Sequence, residues 1–290
     1  MVRVKPFAAI RPPKDIVTEV AAPPYDVLNS VEAKKMAGEK SLLHITKPEI
    51  DFDPILPDHD DKVYDRAVKN FAQWQKNGWL VQDKKPCYYV YAQTMEGRTQ
   101  YGLVLCAHTD DYAEGKIKKH ELTRKDKEDD RMVHVKIQNA NIEPVFFAYK
   151  DNSQLNEIVS RTVAAAPEYS FTDENGFGHS FWVIDDDATI EKITDIFTNK
   201  VNAFYVADGH HRTVLDAALG VDDHHAVLHL GDVLGGDQSA AVHSGGVHGH
   251  EVGHGQQLIH LHIGDAQLLL DAGDVEDIEG DDVHADGLGH

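Results

Sequence analysis

Ala203-Phe204-Tyr205-Val206-Ala207-Asp208-Gly209-His210-His211-Arg212 is the stretch whose reading decides how this chain folds. Five apolar or aromatic residues in a row have the character of a buried strand. The run stops at Asp208-Gly209, and the spacing predicts a helix from Thr213 to Leu219. A strand that passes through a Gly turn into a helix leaves the first N–H groups of that helix unpaired. It also presents the positive end of the helix dipole, and the two together attract phosphate. Gly209 lets the backbone approach an anion closely. Arg212 adds a guanidinium that grips phosphate oxygens in pairs. His210 and His211 add donors, or an acid/base near neutral pH. Asp208 suits an N-cap, a metal ligand or a base. The same residues also fit an ordinary capped helix start with packed or exposed histidines, and the spacing alone does not separate the two.

Upstream of this turn, strands and helices mix without βαβ regularity, which predicts a mixed α+β protein of the α/β type. Asn29 or Ser30 can cap a helix running to about Gly38. Ser41 to Ile45 alternates as a strand does. Asp51 to Asp61 reads as an acidic, proline-bearing loop. Val63, Ala67, Val68, Phe71 and Trp74 recur at helical spacing, giving a helix from Lys62 that stops at Gly78. Cys87 to Tyr91 and Tyr101 to Ala107 form an expected antiparallel hairpin around Met95-Glu96-Gly97-Arg98. Further helices are expected over Lys125–Asn141, Leu155–Ala166 and Ala188–Thr198. Further strands are expected at Val145–Tyr149 and Gly178–Ile184.

Two more clusters carry chemistry. His120-Glu121-Leu122-Thr123-Arg124, followed by Asp130-Arg131, places a His–Glu pair beside a hydroxyl, which suits proton transfer. Lys118, Lys119 and Arg124 lie close by in sequence and would meet an anionic substrate. A solvated charged loop and helix fits the same residues. In Pro23-Pro24-Tyr25-Asp26-Val27 the prolines stiffen the chain and set Tyr25 and Asp26 on a defined turn, either as a pocket wall or as a purely structural turn.

The formal charge of −21 is unevenly spread. Residues 221–290 hold fourteen acidic residues and no Lys or Arg, leaving seven formal negative charges on the first 220. The same stretch lacks Pro, Phe, Tyr, Trp, Met and Cys and carries eleven of the nineteen histidines. Three origins fit: a disordered acidic extension, a metal-binding tract around His243, His248, His250 and His254, or translation in a wrong frame. The domain expectation is therefore an α/β unit over 1–220 and a disordered or frame-shifted tail over 221–290, with no metal assigned. The charge argues against nucleic-acid or membrane-surface binding, which needs clustered Lys and Arg. No segment has the length of a membrane span. Two cysteines and the lack of a secretory leader point to a cytoplasmic protein with free thiols.

Val4-Lys5-Pro6-Phe7, Ala22-Pro23-Pro24-Tyr25-Asp26-Val27, His44-Ile45-Thr46-Lys47-Pro48-Glu49, His120-Glu121-Leu122-Thr123 with Asp130-Arg131, and Tyr205 through Arg212 occur here in one order. In that order they resemble the bacterial and archaeal family known as domain of unknown function 1015, over about residues 1–220. Family members usually continue beyond the histidine-rich turn with a further region, and this chain departs from that pattern in its tail. The Gly-His-His-Arg element also resembles the phosphate-gripping turn of the ParB and sulfiredoxin superfamily. That resemblance implies a ParB/sulfiredoxin-like core with a mixed sheet and flanking helices. One branch of the superfamily phosphorylates free serine from a nucleotide donor, and members of the unknown-function family are often associated with serine biosynthesis genes.

The resulting expectation is an enzyme that transfers a phosphoryl group from ATP or another nucleotide to a small hydroxyl metabolite such as serine. Gly209, His210, His211 and Arg212 would hold the donor phosphates. Glu121 or Asp208, with His120, would manage the hydroxyl proton. Tyr25, Asp26, Thr123 and Arg131 would line the substrate side. Mg²⁺ would bridge the phosphates with one carboxylate. The Gly-Lys-Ser/Thr P-loop is absent, so the nucleotide site is of another type. The alternatives are a ParB-like nucleotide-gated regulator and a non-enzymatic domain that binds a ligand or partner.

Overall fold

The computed structural model describes residues 1–119, 125–208 and 225–232. The chain begins with two short strands, β1 (Val4–Lys5) and β2 (Ile10–Arg11). Four helices come next: α1 (Val17–Val20), α2 (Ser30–Met36), α3 (Leu43–Thr46) and α4 (Asp61–Lys76). Asn29 closes the start of α2 with a capping box. Its side chain accepts from the Val31 and Glu32 N–H groups, and Glu32 reaches back to the Asn29 N–H. Reciprocal pairing of this kind satisfies N–H groups that the helix itself cannot. In α4 the residues Val63, Ala67, Asn70 and Trp74 are buried, one stripe along the helix. Gly78, at φ 73°, ends that segment in the left-handed region.

The alternation over Ser41–Ile45 does not produce a strand; α3 is a single helical turn. Its cause lies in the packing. Leu43 sits with Ala33 and Ile50, whereas Ile45 sits with Val20, Trp74 and Leu80. Two separate apolar clusters flank one short helix, and a run this short cannot be told from a strand by period alone.

Next come β3 (Val81–Gln82), which pairs with β2, and the hairpin of β4 (Tyr88–Met95) and β5 (Arg98–His108). The hairpin turns on Glu96 and Gly97, at φ 49° and 78°. Two positive φ values in a two-residue loop match the right-handed twist of the strands they join. After α5 (Asp110–Ala113) and β6 (Ile117–Lys118) come α6 (Lys125–Gln138), β7 (Val145–Tyr149) and α7 (Ser153–Val163). The described chain closes with β8 (Tyr169–Thr172), β9 (Gly178–Ile184), α8 (Asp187–Lys200), β10 (Phe204–Asp208) and β11 (His225–Asp232).

The long strands join one mixed sheet in the order β6-β10-β7-β11-β5-β4-β9-β8, with β1 also pairing β5. The α+β class expected from the sequence is the class found. Helices α7 and α8 cover one face. Leu155, Ile158, Val159, Ile193, Ile196 and Phe197 share a core with Tyr88, Val90, Leu103, Leu105, Phe147 and Phe204. On the other face Cys87, Tyr89 and Val104 pack with Phe7 and Phe181. The N-terminal segment is fastened there by paired Phe7 and Cys87 backbone bonds of 3.0 and 2.9 Å. Both cysteines are buried and neither is in a disulfide, and burial pushes the Cys87 thiol up. No helix among the described residues is long and apolar enough to cross a membrane.

The tail expectation meets one structural fact. Strand β11 lies beyond the compositional change at Gly220. It pairs antiparallel with β5 from His225↔His108 to Asp232↔Tyr101, and parallel with β7. The sheet therefore contains backbone from the Asp- and His-rich stretch. Residues 221–224 and 233–290 lie outside the described residues.

A charged lock holds α3 against α4. The Nδ1 of His44 faces the Asp51 carboxylate, and its Nε2 lies 3.0 Å from the Gly38 carbonyl. Both partners accept hydrogen bonds, so both ring nitrogens carry protons and His44 is an imidazolium. Asn70 donates to the His44 carbonyl at 2.6 Å and to Asp51 at 2.8 Å. The hydrogen bond to Asp51 raises the His44 pKa against the opposing effect of burial. For Asp51, burial acts upward but is outweighed by the hydrogen bonds from His44 and Asn70, and its pKa falls.

The stability that His44 contributes is full below its usual value of 6.5 and is lost as pH rises through its raised folded value. The contribution of Asp51 is full above its usual 3.8 and is lost as pH falls through its lowered value. Urea denaturation of the wild type and Asp51→Asn should therefore show the largest stability difference between these two usual values, narrowing on either side. In the main core, Phe204→Ala should cost about 3–5 kcal/mol in the same assay, because Phe204 is fully buried against Phe147 and Phe197.

Candidate functional site

Strand β10 runs between β6 and β7, parallel to the first and antiparallel to the second. Phe204, Val206 and Ala207 are buried, and Asp208 is the first polar residue of the strand and half-buried. The register with β7 shifts between Val206 and Asp208, so that Asp208 stands opposite Phe146. A bulge at this point re-aims the backbone where the strand leaves the sheet.

Because β6 and β10 are parallel, with Phe204↔Ile117 and Tyr205↔Lys118, both chains leave the sheet at the same end. His120 comes two positions after the last residue of β6, and Gly209 directly after Asp208. In sheets with parallel neighbours, the carboxyl ends of the strands are where ligands bind. His120, Glu121 and Thr123, and likewise Gly209, His210, His211 and Arg212, lie outside the described residues. The two lysines at the exit of β6 are engaged with rings. The Lys118 Nζ lies 5.8 Å from the Tyr205 ring centre, and the Lys119 Nζ lies 5.6 Å from that of Tyr112. Both residues remain exposed, as cations resting on aromatic faces.

The Pro23-Pro24 turn reaches the same end of the sheet. Pro24 is extended, at φ −54° and ψ 145°, and leads into a one-turn 3-10 helix at Tyr25–Val27. No side chain of the preceding residue caps that turn. Instead the Tyr25 N–H donates across 118 residues to Glu143 Oε1, at 3.0 Å. Glu143 precedes Pro144 and β7, and the start of β7 lies where β10 ends, since those strands are antiparallel. Tyr25 is half-buried, and Asp26 is exposed. The structure thus brings the Tyr25–Asp26 turn and Asp208 to one end of one sheet through Glu143.

Helix α6 leaves the 120–124 segment and packs on α4. Asp130, nine-tenths buried, accepts from Tyr64 OH at 2.7 Å and from His59 Nδ1 at 2.9 Å, both on Oδ1. The Nε2 of His134, one turn along α6, is 4.0 Å from the same oxygen, and its ring meets that of Tyr64 edge-on. Gln138, at the end of α6, donates to the Ile45 carbonyl at 3.4 Å. Asp130 therefore clasps α6 to the N-terminal helices, and Arg131 is the next residue along α6. Among the described residues no three His, Cys, Asp or Glu side chains gather as a metal site.

The family model described as a protein of unknown function (DUF1015) matches residues 4–231. The chain belongs to that family. The match ends within β11, eleven residues past Gly220. No match was found among curated proteins, and none among solved structures. The Pro23–Val27 stretch is thus a turn tied to the link ahead of β7, and Asp130 marks the α4–α6 clasp. His44 and Glu49, from a third motif, serve the helical layer. Glu49 is buried and accepts from Ser30 Oγ at 2.7 Å and from the Lys47 ammonium at 3.1 Å.

Sequence reasoning did not single out Glu143, Tyr64, His59 or His134. Glu143 carries no local signal beyond the Pro144 next to it, and its partner lies more than a hundred residues away. The i, i+4 spacing of Asp130 and His134 on a helix was the one readable hint of the clasp. Tyr64→Phe should lower stability by about 1 kcal/mol, because it removes one bond to a buried carboxylate. His59→Ala should cost about 0–1 kcal/mol, since its side chain is 58% exposed. Paired urea titrations measure both.

Proposed function

We propose that this DUF1015 protein is a cytoplasmic phosphotransferase with a ParB/sulfiredoxin-like core, moving a phosphoryl group from a nucleotide to a small hydroxyl metabolite such as serine. The observation that carries this reading is the common exit of β6 and β10. Parallel strands release the His120-Glu121 segment and the Asp208-Gly209-His210-His211-Arg212 segment at one end of the sheet. The Tyr25–Asp26 turn is tied to that same end. A shared strand exit with a turn tied near it supports a two-substrate site.

The chemistry divides by residue type. Backbone N–H groups after Ala207, with Arg212, His210 and His211, take the donor phosphates. Glu121 or Asp208 accepts the proton of the attacking hydroxyl, and His120 is placed in sequence to share it. Tyr25, Asp26, Thr123 and Arg131 are assigned to the acceptor. Phosphoryl transfer asks little covalent chemistry of a protein and depends on positioning and charge. Mg²⁺, when bound, neutralises the charge that builds on the phosphates. The ion would be held by the nucleotide phosphates and one carboxylate, Glu121 or Asp208.

Isothermal titration of the full chain with ATP, ADP and CTP in the presence of Mg²⁺ tests the reading. At least one nucleotide should bind, and Arg212→Ala should weaken it by about ten- to a hundredfold, the worth of a charge-assisted hydrogen-bond pair. Absence of binding by all three, or indifference to the substitution, would remove the anion cradle and the enzyme with it. Salt-dependent DNA retention in place of small-molecule turnover would instead favour a ParB-like regulator.

A further inference from the structure

From the tertiary contact at Tyr25 we infer that Glu143 is a positioning residue for the acceptor side of the site. By accepting the Tyr25 N–H it docks the Pro-Pro-Tyr-Asp turn at the sheet end where β10 opens. The inference rests on the phosphoryl-transfer reading and adds to it a residue from outside the sequence motifs.

Three features build the contact. The first is need. Tyr25 opens a 3-10 turn, so its N–H has no partner within that turn, and the residue before it is Pro24, whose side chain cannot accept. A carboxylate from elsewhere in the fold does what an N-cap side chain does for an ordinary helix, and its negative charge suits the positive end of the turn. The second is aim. Helix α6 ends at Gln138, the next residue Asn139 takes φ 49°, and the chain bends at Glu143 just before Pro144. These two restraints direct the 139–144 connection onto the turn before β7 begins. The third is place. Phe146 is the register partner of Asp208, and Glu143 precedes it by three residues, a span of at most about 10 Å. The tether thus fixes Tyr25 and Asp26 relative to the strand end from which Gly209 departs. Among the described residues Asp26 forms no ion pair or hydrogen bond, and its carboxylate is exposed on the docked turn.

A positioning role and a proton-transfer role for Glu143 differ in what glutamine can replace. The Gln carbonyl oxygen still accepts the Tyr25 N–H, but the amide cannot take a proton from a hydroxyl. The test uses the full chain as wild type, Glu143→Gln and Glu143→Ala, with MgATP and L-serine as probes. Selective ¹⁵N-tyrosine labelling reads the Tyr25 amide directly. In the wild type its proton resonance should lie downfield and move as the Glu143 carboxylate titrates. In Glu143→Gln it should stay downfield and cease to titrate, and in Glu143→Ala it should move upfield. MgATP affinity should remain within about twofold in both variants, while the serine KM rises about tenfold in Glu143→Ala and less than about threefold in Glu143→Gln.

A Tyr25 amide that ignores Glu143→Ala overturns the inference. So does a kcat as depressed in Glu143→Gln as in Glu143→Ala, which would make Glu143 the proton acceptor itself. A MgATP affinity that collapses together with the serine KM would make the contact a general support of the fold, again against the inference. Should the wild type bind no nucleotide, the phosphoryl-transfer reading fails. The Tyr25 resonance then still decides whether Glu143 docks the turn.

Discussion

Strand β10 is buried because it lies inside the sheet, with β6 on one side, β7 on the other and the α7–α8 layer over its face. Phe204 anchors it, meeting Phe147, Tyr149 and Phe197 with ring centres 5.7, 6.5 and 5.8 Å away. Most of what bears on function depends on this placement. A strand fixed on both sides has one register, and the register decides where its polar end emerges. The register shift ahead of Asp208 comes at the end of the sheet where β6 also ends. Without the β6 pairing, Asp208 would keep its neighbour on β7, but the two chemistry-bearing segments would have no common point of departure.

The N-terminal helices are a second body of packing laid beside that sheet, and polar contacts join the two. Glu143 reaches the Tyr25 N–H and Asp130 receives Tyr64 and His59, while Gln138 meets the Ile45 carbonyl. All three acceptors or donors belong to α6 or to the link after it, so one segment of chain carries the coupling. Carboxylates are well suited to this. Each takes more than one donor, and a buried carboxylate left without its partners costs more than the bonds are worth singly. The design places rigid apolar packing behind the site and directional polar contacts around it.

Strand β11 shows how composition can mislead. The stretch after Gly220 has the charge and glycine content of a solvated tail, yet His225–Asp232 pairs with β5 from His108 to Tyr101. Ala226-Val227-Leu228 and Leu230 are an apolar run long enough for a strand. Averaging over seventy residues of Asp, His and Gly hides them. The family match, which ends at residue 231, takes in this strand almost to its last residue and leaves out the remainder of the Asp- and His-rich stretch.

The sequence by itself determined the periodic elements: the α4 stripe, the β4–β5 hairpin with its Glu96-Gly97 turn, β7, β9, α8 and the apolar β10. Each is set by contacts within a few residues, through side-chain period, capping groups and turn geometry. It also fixed the order of the Pro-Pro-Tyr-Asp, His-Glu-Leu-Thr and Asp-Gly-His-His-Arg motifs. Only the tertiary structure decided that β6 and β10 are parallel neighbours, that α3 is a helix between two clusters, and that Glu143 caps Tyr25. Those facts depend on residues brought together across tens to more than a hundred positions, and no local pattern encodes a partner so distant. The chain spells out its elements locally, but the burial of β10 and the polar links through α6 exist only once the sheet has formed.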